Sequence, residues 1–173
     1  MERAVISAIG QDRPGIVNDL AALIRELGLN IEDSRMTVLG GEFAVLMAVA
    51  GPPSAIAALR TRLEVTCAAL GLAHLYRPTR ARTPSGNLLP YGVTVTAMDH
   101  PGIVHDVAGF FSSRGINIEE LTTQMEHAAH TGTPIFNLEM RVQVPAGTRI
   151  LALRTAFEDF CAERDLDGRL DAP

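Results

Sequence analysis

The sequence predicts an α+β fold built twice over. Each unit runs β-α-β-β-α-β and makes a four-stranded antiparallel sheet with two helices on one face. Three observations predict it. Segments of the chain recur at a nearly constant offset. Apolar residues alternate in some segments and return with a period near 3.6 in others. A polar stretch with Pro and Gly separates the two copies.

The repeat is explicit. Asp12-Arg13-Pro14-Gly15-Ile16-Val17-Asn18-Asp19 returns as Asp99-His100-Pro101-Gly102-Ile103-Val104-His105-Asp106, 87 residues later. Gly28-Leu29-Asn30-Ile31-Glu32 returns as Gly115-Ile116-Asn117-Ile118-Glu119 at the same offset of 87. Phe43, Val45, Met47 and Val49 match Phe136, Leu138, Met140 and Val142 at 93, so the second copy gains six residues around His127-Ala128-Ala129-His130-Thr131-Gly132. Ala58-Leu59-Arg60-Thr61 matches Ala152-Leu153-Arg154-Thr155 at 94, and Cys67 falls on Cys161. An offset kept across four segments marks a duplication.

The elements follow in order. Ala4 to Ile9 reads as an apolar strand. Pro14-Gly15 opens a helix whose Ile16, Val17, Leu20, Leu23, Ile24 and Leu27 form a stripe, and Gly28 stops it. Asn30–Leu39 and Glu42–Ala50 form a hairpin across Gly40-Gly41, a pair that accepts positive φ. Pro53–Leu70 is the second helix and Ala73–Arg77 a short last strand. In the second copy the same elements are Tyr91–Met98, Gly102–Arg114, Asn117–Glu126, Thr133–Val144, Thr148–Arg164 and a weak strand near Leu166–Leu170. The expected organisation is a first domain over 1–77, a linker over 78–90 and a second domain over 91–173, each domain a ferredoxin-like sandwich.

Composition narrows the function. Of the 173 residues, 47% are hydrophobic, enough for a packed core. The start of the chain shows no signal-peptide pattern and no apolar run approaches ~20 residues, so a cytoplasmic protein is expected. All 15 basic residues are arginine. Without lysine there is no Schiff-base chemistry and no Gly-x-x-x-x-Gly-Lys-Ser/Thr phosphate loop. A formal net charge of −5 disfavours nucleic acid or an anionic membrane as a direct partner. Arg77, Arg80 and Arg82 are too few, and lack the aromatics, for a DNA reader. Two cysteines rule out a disulfide scaffold and a four-Cys zinc site, and both read as buried small hydrophobes. No cofactor or catalytic residue is expected. His100, His105, His127 and His130 offer an alternative metal-binding or enzymatic reading, weak without carboxylate or cysteine partners. Glu32-Asp33 and Glu119-Glu120 resemble acid–base pairs, but neighbours on a strand point to opposite faces.

The repeated Asp-x-Pro-Gly-Ile-Val sits where a strand turns into a helix. The amides of Gly15, Ile16 and Val17 precede the first helical hydrogen bond, so with the helix dipole they suit an anion such as an amino-acid carboxylate. Asp12 is expected to cap the turn or to hold a ligand ammonium, and Asn30 to add a donor and an acceptor nearby. The same motif also serves as a plain strand-to-helix turn.

Asp-x-Pro-Gly-Ile-Val followed by Gly-x-Asn-Ile resembles the ACT domain, an amino-acid-sensing module of metabolic regulators, in both copies. Two such units in tandem are similar to the glycine cleavage system transcriptional repressor family. The first unit also resembles the amino-terminal regulatory domain of formyltetrahydrofolate deformylase. The resemblance implies a non-catalytic regulator that binds a small amino acid, glycine or serine first, between ACT units. It would act through a protein partner such as a transcription activator or a metabolic enzyme. A regulatory subunit of an amino-acid or one-carbon enzyme is the milder alternative. Carried over by position, the ligand-binding residues are Asp12, Arg13, Pro14, Gly15, Ile16, Asn30 and Ile31, with Asp99, His100, Pro101, Gly102, Ile103, Asn117 and Ile118 in the second copy. Arg13 becoming His100 makes the two sites unequal. Open sheet edges predict a two-fold homodimer.

Overall fold

The structure, a computed structural model, describes residues 1–80 and 86–172. The first unit contains β1 (Glu2–Gln11), α1 (Ile16–Glu26), β2 (Asn30–Leu39), β3 (Glu42–Gly51), α2 (Pro53–Leu70) and β4 (Ala73–Thr79). The second contains β5 (Leu88–Met98), α3 (Ile103–Ser112), β6 (Asn117–His127), β7 (Pro134–Pro145), α4 (Ile150–Ala162) and β8 (Asp167–Asp171). The chain divides into two compact units along this line. Strand order is β2-β3-β1-β4 in one sheet and β6-β7-β5-β8 in the other, with every pair antiparallel. This is the expected β-α-β-β-α-β topology twice. Strand occupies both ends of the stretch read as a linker, since β4 runs to Thr79 and β5 begins at Leu88. Residues 81–85 of that stretch, with Arg82, lie outside the described residues.

Each helix turns one stripe onto its sheet. Helix α1 buries Ile16, Leu20, Leu23 and Ile24, and α2 buries Ile56, Leu59, Leu63 and Cys67. They close over Ile6, Val45, Met47 and Val49 from the strands, with Phe43 at one end. Burying each large apolar side chain is worth about 1.5–3 kcal/mol. The second core keeps the positions and changes the chemistry. Phe110 and Phe111 of α3 meet Phe157 and Phe160 of α4, with ring centroids 5.0–5.2 Å apart for Phe110 on Phe157 and Phe160. Arg114 lies 3.7 Å above the Phe110 ring and Arg164 4.1 Å above Phe160, so guanidinium groups roof the aromatic cluster.

The helix ends repeat too. Gly28 at φ 67° and Gly115 at φ 68° accept the left-handed conformation that lets the following amides fold back. Leu29 N donates to Ile24 O at 3.0 Å and Ile116 N to Phe111 O at 3.1 Å. Asp165, at φ 55°, takes the same role after α4 without glycine.

Candidate functional site

The Asp-x-Pro-Gly loop leaves the end of β1 beside the β2–β3 turn, where Asp12 N donates to Gly41 O at 3.0 Å. Gly15 is the residue just before α1, at φ 99° and ψ −17°, and Gly102 holds the same place before α3 at φ 103°. The first helical bonds are Asp19 N to Gly15 O and Asp106 N to Gly102 O, both 2.9 Å. The amides of Ile16, Val17 and Asn18 therefore precede the ladder, as do those of Ile103, Val104 and His105.

Two local expectations change. Pro14 and Pro101 lie in the turn, outside the helix, because glycine in a left-handed conformation intervenes. No side-chain hydrogen bond caps either helix, so Asp12 and Asp99 are exposed carboxylates rather than caps. The backbone conformation by itself demands both glycines. A Cβ on Gly15 would come no nearer than 4.0 Å to another group, and one on Gly102 would meet open space, yet φ near +100° is strained for any L side chain.

The loop and the start of β2 do not meet within one unit. Asn30 pairs with Ala50 and Ala50 with Arg3, while the loop follows Gln11 at the other end of β1. Nine residues from Arg3 to Asp12 span roughly 30 Å of strand. Asn117 likewise pairs with Gln143, at the end of its sheet away from Asp99. The expectation that Asn30 lies near Gly15 fails for a topological reason. Strand β3 is antiparallel to both β1 and β2, so those two run in parallel and start at the same end.

Around the first loop lies an open cleft of about 480 Å³ lined by Asp12 to Asn18, with Met36 and Phe43. It gathers Asp12, Arg13, Pro14, Gly15 and Ile16 and leaves Asn30 and Ile31 outside. The two helix starts differ electrostatically. The Asp19 carboxylate lies 4.0 Å from the Cβ position of Gly15 and already uses the positive end of α1. Its counterpart Asp106 leans toward Arg164, with Oδ2 3.8 Å from Nε. The start of α3 is thus less shielded by its own carboxylate.

The start of each second strand carries a bulge, at Glu32 and at Glu119. Alternation breaks there. Glu32 accepts two hydrogen bonds from Arg3, at 2.7 and 2.9 Å, which hold its carboxyl below the usual carboxylate range. Asp33 pairs with Arg35. In the second unit Glu119 accepts from Gln143 Nε2 at 2.7 Å and Glu120 pairs with Arg141. Residues 141 and 143 share one face of β7, so the bulge brings Glu119 and Glu120 to partners on one side, against the expectation of opposite faces. Each carboxylate is committed to a partner and none stands ready as an acid–base pair.

The histidines are scattered. His105 sits on α3, His127 ends β6, His130 is in the hairpin loop, and His100 Nδ1 lies 3.2 Å from Pro101 O. Among the described residues no group of His, Cys, Asp and Glu converges to hold a metal. Cys67 and Cys161 are buried, and burial pushes both thiols up, Cys161 to about 11. Among the described residues no helix is long and apolar enough to cross a membrane.

Comparison with known proteins supplies the context for this loop. The ACT domain family model matches residues 2–75. The glycine cleavage system transcriptional repressor of Escherichia coli is 30% identical over 167 residues, covering 96% of this chain and 88% of that protein. A crystallised protein of unassigned function from Galdieria sulphuraria superposes with a TM-score of 0.82 at 29% identity, over 98% of this chain and 97% of its own. A UPF0237 protein of Methanopyrus kandleri is 49% identical over 49 residues, 28% of this chain and 54% of that one.

Proposed function

The chain belongs to the glycine cleavage system transcriptional repressor family of tandem ACT-domain proteins, and we propose that it is a non-catalytic regulator that senses a small amino acid and acts through a protein partner. The observation that carries this reading is the likeness to the Escherichia coli repressor, which runs through both units rather than one. The partner is a transcription activator or a metabolic enzyme, and a charge of −5 favours protein contact over direct contact with DNA. The setting is the cytoplasm.

The ligand reading rests on the loops. The carboxylate of glycine or serine sits on the first-turn amides of α1 or α3, and Asp12 or Asp99 takes the ammonium. Arg13 adds a cation at the first loop and His100 replaces it at the second, so the two sites bind unequally. Asn30, Ile31, Asn117 and Ile118 join such a site only from another edge. Strand β2 is an exposed edge. A second copy paired antiparallel along it brings its own Asn30 toward the Asp12 loop. The functional assembly is therefore a homodimer with two-fold symmetry.

Titration calorimetry with glycine, serine and the other amino acids tests this. The parent is expected to bind one of them at millimolar concentration or tighter. Asp12→Asn and Asp99→Asn weaken the two loops separately and identify the stronger. Asn30→Ala costs about 1.5–3 kcal/mol, or about ten- to a hundredfold, where the partner edge completes the site. A parent that takes up no amino acid at millimolar concentration removes the sensing role.

A further inference from the structure

The helix-free face of the first sheet is apolar along its middle. Strand register sorts its outward residues into rows read from β2 to β4. They are Thr37, Ala44, Ile9 and Ala73, then Arg35, Leu46, Ser7 and Leu75, then Asp33, Ala48, Val5 and Arg77. Ile9 is 52% exposed, Leu46 50% and Leu75 67%, each large for an aliphatic side chain on a sheet. The matching face of the second unit is polar, carrying Thr94, Thr96, Glu139 and Arg141, with Thr96 Oγ1 donating to Asn137 Oδ1 at 2.9 Å. The middle rows of the outer face are thus apolar in the first sheet and polar in the second, where the exposed Met98 sits at the end of β5.

We propose that this face packs against the same face of a second copy of the chain, about a two-fold axis that runs parallel to the strands between β1 and β3. That axis keeps each row in place and exchanges its ends. Leu46 of one copy then faces Ser7 of the other, Ile9 faces Ala44, and Val5 faces Ala48. In these three pairs each large side chain meets a small one, which is how aligned sheets interdigitate. At the rims Asp33 faces Arg77 twice over, and the stem of Arg35 lies on Leu75. No two like charges oppose each other. The perpendicular in-plane axis stacks Leu46 on Leu46 and Leu75 on Leu75 and leaves Asp33 and Arg77 opposite Thr37 and Ala73. These three rows, with the more polar rows of Glu42 and Gln11 at one end and of Ala50 and Arg3 at the other, span roughly 19 by 34 Å over four strands, on the order of 600 Å² per copy. Two such faces bury about 1,200 Å², the lower bound of specific interfaces. This contact uses the sheet face and leaves the β2 edge free, so it adds to the edge pairing proposed above.

Sedimentation velocity on the full chain tests it, with circular dichroism as a check on folding. Leu46→Glu places a charge at the centre of an exposed face and is expected to reduce the parent assembly to the edge dimer, raising the dissociation constant of the face contact at least a hundredfold. Asp33→Arg and Arg77→Asp alone are expected to weaken it about tenfold each, and the two together to restore it. A parent dimer left intact by Leu46→Glu overturns the face contact and leaves the edge dimer standing. A parent dimer that Leu46→Glu makes monomeric supports the face and removes the edge. A monomeric parent at 100 µM overturns both. Charge-swap variants that fail to rescue one another overturn the proposed axis.

Discussion

The two units share a skeleton and differ in what they show to solvent. Both place glycine before the first helix at φ near 100°, end that helix on glycine at φ near 68°, and bulge the second strand at a glutamate. All three features bend or stop the backbone. Where the copies diverge, the backbone is indifferent. The first core is mainly aliphatic and the second gathers four phenylalanines from its two helices under two arginines. One helix-free sheet face is apolar along its middle and the other polar there. Duplication has conserved the geometry and released the surfaces, so new roles belong in the differences. A motif retained in both copies is weaker evidence of ligand binding than of chain reversal.

The comparison breaks most visibly in the cores. Phe111 is fully buried in the second unit, where the first has Ile24. Phe111→Ala is expected to cost about 3–5 kcal/mol. Hydrogen exchange should show protection falling in β5–β8 while β1–β4 hold theirs, since each core closes on its own residues. Equal loss in both units would mean that they fold as one.

Alkaline pH sharpens the contrast at Cys67 and Cys161. Burial, helped at Cys161 by the nearby Asp167 carboxylate, keeps each thiol protonated in the folded state. In the unfolded chain a thiol ionises near 9, so folding is fully supported below that pH and loses support as pH rises toward 11. The loss at Cys161 is about 2–3 kcal/mol. Denaturant midpoints measured from pH 8 to 11 should fall in the parent, and Cys161→Ala should flatten the slope.

The smallest effect tests the shared feature. Gly15→Ala and Gly102→Ala force an L side chain to φ near +100°, costing about 1–2 kcal/mol at either helix start, with no ligand present. Thermal melts without amino acid check this. Unchanged melts would mean that the backbone conformation is not what requires glycine there.

Much of this was legible in the sequence. The duplication, the order of elements and the helix stops followed from spacing and glycine placement, and the hairpin boundaries Asn30, Leu39 and Glu42 match the structure. The site was legible only as a set of residues. Asp12 through Ile16 gather at one cleft because they are consecutive. By its place just after the same helix Asn30 reads as one of them, but a helix that returns the chain also carries it to the opposite end of the sheet. Distance along the sequence could not show that. The bulge at Glu32 and Glu119 was hidden because a strand with one extra residue reads like any other. The apolar outer face was visible as near-continuous hydrophobicity in Phe43–Ala50, but assigning it to the uncovered side required the register.

The longer hairpin of the second unit has a practical consequence. Pro134 O receives Asp99 N where Gly41 O receives Asp12 N, so the six additional residues project past the sheet from an unchanged register. The fold has in effect already accepted a passenger at that tip. Loop closure is cheap to lengthen at such a point. Gly40-Gly41 is therefore the natural place to graft a fluorophore-bearing hexapeptide into the first unit, beside the Asp12 loop, where amino-acid uptake could be followed by emission.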